Sequence, residues 1–145
     1  MSRLAIFSAP KPFSDSHIDL IQRNALRSWK QMGSEVAVIL VGDEEGIAEV
    51  AEDYSFLHLS KVKVNQHGTP LVSSIFSMAK EATQAPLMAY VNADIILFPE
   101  TLRLAHEIAA DEKDFLLLGQ RYDLDLRRAL EFGPGWAGEL RQDLQ

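Results

Sequence analysis

Apolar residues recur along this chain in short blocks separated by amphipathic stretches, and the alternation predicts its elements in order. Leu4 to Ser8 is a short apolar run closed by Ala9-Pro10-Lys11-Pro12, where two prolines fix the backbone, and it reads as a first strand. Ser14, Asp15 and Ser16 are N-cap candidates for a helix running to about Met32. Its apolar residues Ile18, Ile21, Ala25, Trp29 and Met32 fall at three- and four-residue spacings, one face of an amphipathic helix, and Gly33 ends it. Val36 to Val41 is a continuous apolar run rich in β-branched residues, the pattern of a parallel strand covered on both faces. It stops at Gly42-Asp43-Glu44-Glu45-Gly46, which leads into a short helix ending near Asp53.

The second half repeats the alternation. Phe56 to Leu59 is a weaker strand, and Lys61 to His67 a polar connection. Gly68-Thr69-Pro70 is expected to start a helix, with Thr69 as N-cap and Pro70 at the first helical position, and Leu71, Ile75, Met78, Ala79 and Ala82 as its core face. Leu87 to Val91 is a central strand, stopped by Asn92-Ala93-Asp94. Ile95 to Phe98 is apolar again, and Pro99-Glu100 opens a helix with Leu102, Ala105, Ile108 and Ala109 on one side. Asp114 to Gly119 reads as a fifth strand, the charged stretch Gln120 to Arg128 as a loop, and Ala137 to Gln145 as a short terminal helix. Strand and helix in alternation predict an α/β fold, a mostly parallel open sheet with helices on both faces. A length of 145 residues predicts a single domain, with a core over residues 1–120 and a charged loop and terminal segment over 121–145.

Composition excludes several functions. The net charge of −7 argues against broad nucleic-acid binding, which needs Lys and Arg to replace counterions. No apolar run is long enough to span a membrane, and the N-terminus lacks the apolar h-region of a signal peptide. With no cysteine, thiolate and zinc-thiolate chemistry are excluded, and a cytoplasmic location is expected. The turn after the first strand has no glycine, so neither the dinucleotide fingerprint nor the P-loop is present, and no serine sits in a Gly-x-Ser-x-Gly elbow. His17, His58, His67 and His106 have no metal-ligand spacing and are expected at the surface or the core boundary. Met78, Met88 and Phe76 are expected in the core.

What remains are polar residues at strand ends. In open α/β sheets ligands bind beyond the carboxyl ends of the strands, where strand order reverses. With right-handed crossovers and the order 3-2-1-4, the ends of the first, second and fourth strands converge. Those ends carry Ser8-Ala9-Pro10, Asp43 and Asn92-Ala93-Asp94. A carboxylate flanked by apolar runs, as Asp94 is, needs a cation, a metal or several hydrogen-bond donors. The competing reading makes Asp94 a turn residue bonded to local backbone, and Asp43 a helix cap.

Phe7-Ser8-Ala9-Pro10, Val41-Gly42-Asp43, Gly68-Thr69-Pro70 and Tyr90-Val91-Asn92-Ala93-Asp94 together resemble the nucleotide-diphospho-sugar glycosyltransferases of the GT-A fold, family-2-like, over about residues 1–125. The resemblance implies that Asp94 is ligand to a divalent metal, Mn²⁺ or Mg²⁺, bridging the donor's diphosphate. It implies that Asp43 contacts the nucleoside, that Ala9, Pro10 and Lys11 line the base pocket, and that Ser8, Gly68 and Asn92 complete the donor site. The first position of the acidic triplet is Asn92 rather than Asp, which removes one charge. The family's acceptor half normally follows the fifth strand, whereas about 25 residues follow Gln120 here. Asp123 and Asp125 are the clustered carboxylates left for catalysis on the acceptor side. Their alternative is a solvated loop paired with Arg121, Arg127 and Arg128.

Three functions follow: a small or truncated glycosyltransferase with an unknown acceptor, a non-catalytic nucleotide-sugar-binding module, or an unrelated Rossmann- or flavodoxin-like protein with structural aspartates. A core cut short would leave apolar surface for a partner chain, for which a homodimer is the expectation.

Overall fold

The most apolar runs become the centre of the sheet. In the computed structural model, which describes residues 2–144, Leu4–Ser8 forms β1 with all five residues buried. It lies between Val36–Val41 (β2) and Leu87–Tyr90 (β4), and Leu57–Leu59 (β3) sits beyond β2. All pairings are parallel, in the order β3-β2-β1-β4. The helices are Ser16–Lys30 (α1), Ile47–Tyr54 (α2), Val72–Ala82 (α3), Glu100–Asp111 (α4) and Trp136–Gln142 (α5). The fold is α/β, as the alternation predicts. Of the expected terminal helix, Gln145 lies outside the described residues, as does Met1.

Side-chain alternation along β1 and β2 divides the core in two. Leu4, Ile6, Val38 and Leu40 meet Leu26 and Trp29 of α1 and Ile47, Val50 and Ala51 of α2. Ala5, Phe7, Ile39 and Val41 meet Ile75 and Ala79 of α3 on the opposite face. Helices therefore cover both faces. A third, smaller cluster joins Leu126, Leu130 and Leu140 with Ile96, Phe98, Phe132 and Trp136.

Helix ends follow local chemistry. Asp15 caps α1, its carboxylate accepting from His17 N–H at 2.9 Å and Ile18 N–H at 3.0 Å. Beyond α1, Gly33 turns the chain at φ 88°, a region that favours glycine. The buried face of α1 is Gln22, Asn24, Ala25, Leu26, Ser28 and Trp29, so Ala25 and Trp29 of the apolar stripe are buried while Ile18 and Ile21 are only half-buried.

Three expectations are corrected. Asp114–Gly119 is not a strand; all six residues are exposed, and no ladder among the described residues includes them. A parallel strand beyond β4 would need a right-handed crossover with its helix on the α3 face, whereas Leu97 and Leu102 carry the chain onto the α1 face. Thr69 does not cap α3: Pro70 bridges Val64, Asn65 Oδ1 accepts from Thr69 N–H at 3.1 Å, and the helix begins two residues after Pro70 with Leu71 at its N-cap. Phe76 and Met88 are not core, being 46% and 37% exposed beside the free edge of β4.

Candidate functional site

The strand order reverses about β1, because α1 leaves it on one face and α3 returns to β4 on the other. The carboxyl ends of β1, β2 and β4 therefore open onto one region. β1 delivers Ser8, Ala9, Pro10 and Lys11, β2 delivers Asp43 past Gly42, and β4 delivers Asn92 and Asp94 past Val91. The register fixes the relation of these ends: Ser8 pairs with Leu40, and Phe7 with both Ile39 and Tyr90.

Asp43, Asn92 and Asp94 are exposed, whereas Ala93 between the last two is buried. Ala93 anchors the triplet by turning its methyl inward, so both flanking side chains face solvent. The backbone closes the turn itself, Ile95 N–H donating to Asn92 O at 3.1 Å. Among the described residues the Asp94 carboxylate accepts no local hydrogen bond and forms no ion pair, so the turn does not depend on it. The same holds for Asp43, which is not the cap of α2: Gly46 takes that position.

The loop after β1 is held more firmly. Pro10 and Phe13 are buried, while Lys11 between them is exposed. Lys11 N–H donates to Gln22 Oε1 at 2.8 Å, and Gln22 Nε2 donates to Lys11 O at 3.0 Å. Phe13 N–H donates to Glu45 O at 2.8 Å, which joins this loop to the one carrying Asp43. Gly46 is required at that junction, since its φ is 90° and a Cβ there would lie 2.6 Å from Phe13 Cβ. Ser8 is fully buried, and its hydroxyl has no partner among the described residues. His58 Nε2 lies 2.7 Å from Gly42 O, bracing the end of β2 from the neighbouring strand. Gly68 sits in the exposed turn between β3 and α3, at φ 79°.

Asp123 and Asp125 are placed differently. Each is exposed and ion-paired, to Arg121 at 3.3 Å and to Arg127 at 3.1 Å. The Arg127 guanidinium, by hydrogen bonding and charge, holds the Asp125 carboxyl below the usual carboxylate range. A carboxylate held in that state is a weaker proton acceptor. Asp125 and Arg127 line an open depression of about 620 Å³ with Ser16, His17, Asp19 and Leu20 of the α1 entrance. Neither Asp43 nor Asp94 lines it.

Among the described residues no three His, Cys, Asp or Glu side chains gather as a metal group. An ion that arrives with a diphosphate needs few protein ligands, since phosphate oxygens and water supply the rest, and Asp94 is available to it. The sequence did not reveal Gln22; a buried polar residue in register with Leu26 and Trp29 on α1 was the available signal. No protein-family model and no curated protein sequence matches the chain.

Proposed function

We propose that this chain is a glycosyltransferase-like protein that binds a nucleotide-diphospho-sugar at the carboxyl edge of its sheet and transfers the sugar to an acceptor. The observation that carries the reading is Asp94, an exposed carboxylate at the end of β4, beside the switch in strand order, whose side chain has no hydrogen-bond or ion-pair partner among the described residues. Asp43 and the pinned loop Ala9–Lys11 belong to the neighbouring strand ends, where a nucleoside would be held. A divalent ion bound with the diphosphate, Mn²⁺ or Mg²⁺, would stabilise the negative charge that develops as the glycosyl bond breaks. Asp94 would hold that ion, and Asn92 offers a neutral donor and acceptor to a ribose or a metal-bound water. None of the described helices is long and apolar enough to cross a membrane. A cytoplasmic location and a homodimer belong to the same reading, the second supported by exposed Leu116 and Leu118.

A second reading, a nucleotide-sugar-binding module without transfer, is favoured by the arginine pairing of Asp123 and Asp125. Calorimetric titration of UDP and GDP, with Mn²⁺ and with chelator, tests the shared claim. The expected result is Mn²⁺-dependent binding that falls at least tenfold in Asp94→Ala, the loss of one charged ligand being worth about 1.4 kcal/mol or more. Binding of neither nucleotide in the presence of Mn²⁺ would overturn the nucleotide-sugar reading and leave Asp94 a solvated carboxylate. Slow hydrolysis of a UDP-sugar by the wild type would separate the enzyme from the module.

A further inference from the structure

The loop that follows β1 is short of regular structure, yet it faces the point where the strand order reverses, where a ligand of such a sheet binds. Its middle residue, Lys11, is exposed, while the side chain that secures it is buried: Gln22 is 2% exposed. The primary amide of Gln22 engages both polar groups of the Lys11 main chain, accepting from N–H at 2.8 Å and donating to O at 3.0 Å. That pairing is the one a neighbouring strand would make, supplied here by a side chain on α1. A donor and an acceptor are both required, so Glu, Met and Leu cannot reproduce it.

We propose that Gln22 is a positioning residue for the nucleotide site. It acts through the Lys11 peptide, fixing Ala9 to Pro12 in one conformation so that a bound nucleotide does not have to order the loop. The inference rests on the nucleotide-binding reading above. A loop that must be ordered on binding weakens affinity roughly tenfold when a rotamer-rich segment is involved. The pairing joins α1 to an irregular loop and to no strand of the sheet, so its loss acts on the loop more than on the fold.

The test compares wild type, Gln22→Met and Gln22→Glu in three measurements: melting temperature, amide hydrogen exchange at Lys11, and affinity for UDP with Mn²⁺. Methionine fills the space with neither hydrogen bond; glutamate keeps the acceptor and loses the donor. The expected result is an affinity lowered roughly tenfold in Gln22→Met, with faster exchange at Lys11 and a melting temperature close to wild type. Glutamate is expected to fall between the two in affinity, and it decides the matter should the methionine variant not fold. Unchanged UDP affinity in a folded variant whose Lys11 amide has lost protection would overturn the positioning role alone. No UDP binding by wild type would overturn the nucleotide reading, and this role with it.

Discussion

Asn24, rather than any apolar residue, shows how this molecule holds its later segments in place. It is 1% exposed, donates from Nδ2 to Arg128 O at 2.9 Å and accepts at Oδ1 from Leu130 N–H at 2.8 Å. Arg27 adds a bond to Leu130 O at 3.0 Å and lies over the Phe132 ring. Because Leu130 is buried, its N–H has little water to turn to once Asn24 is removed. Asn24→Ala is therefore expected to lower the free energy of unfolding by about 2–3 kcal/mol, from two lost bonds and a backbone group left unsatisfied. Urea unfolding measures it, and a loss below about 0.5 kcal/mol, the level of an ordinary surface change, would mean that the Arg128–Leu130 segment is held by something else.

The same pattern appears along the whole of α1 when the element is taken as a unit. Gln22 holds Lys11, Asn24 holds residues 128–130, Ser28 accepts from Leu97 N–H at 3.0 Å, and Trp29 Nε1 donates to Ile95 O at 2.9 Å. One helix thus fixes the loop after β1, the segment after β4 and the chain before α5. Apolar periodicity revealed the helix and its limits but not this role, because the partners lie far away in sequence and the residues concerned are polar. The strands were legible for the opposite reason: Leu4–Ser8 and Val36–Val41 are apolar enough to be central in any α/β arrangement. Phe115 to Leu118 has the same residue preference without being a strand, since a strand exists only where a neighbour offers a ladder. A second tie joins α4 to α5, where Arg141 Nη2 donates to Glu100 Oε2 at 2.6 Å and the guanidinium lies over Phe98. The hydrogen bond from Arg141 chiefly holds the Glu100 carboxyl below its ordinary value of 4.5. A lowered folded-state value stabilises above 4.5, and that contribution is lost as the pH falls through the lowered value. Both side chains are nearly half exposed, so the contribution is below about 1 kcal/mol. Glu100→Gln is expected to be slightly less stable than wild type at pH 7 and equal to it in acid; a difference independent of pH in chemical unfolding would contradict the ion pair.

At the scale of the whole molecule, the fold and the candidate site are one statement. A parallel sheet with the order β3-β2-β1-β4 and helices on both faces has its strand reversal at β1, and the polar strand ends gather there. The sequence made Asp43 and Asp94 visible as carboxylates at strand ends; their freedom from local bonds required the turn geometry. Asp123 and Asp125 stood apart from them already in sequence, in a charged loop with arginines at hand, and the structure pairs them with Arg121 and Arg127.

The most direct test of the account is to map where Mn²⁺ goes when UDP is present, using paramagnetic broadening of amide signals in ¹⁵N-labelled protein. Added together, Mn²⁺ and UDP are expected to broaden Asn92, Ala93 and Asp94 first, then Ala9 to Lys11 and Gly42 to Asp43, and to leave Asp123 and Asp125 sharp. Mn²⁺ without UDP is expected to give no such focus, since no protein metal group is assembled among the described residues. Broadening centred on Asp123 and Asp125, or spread over the acidic surface irrespective of UDP, would contradict a nucleotide site at the carboxyl ends of β1, β2 and β4.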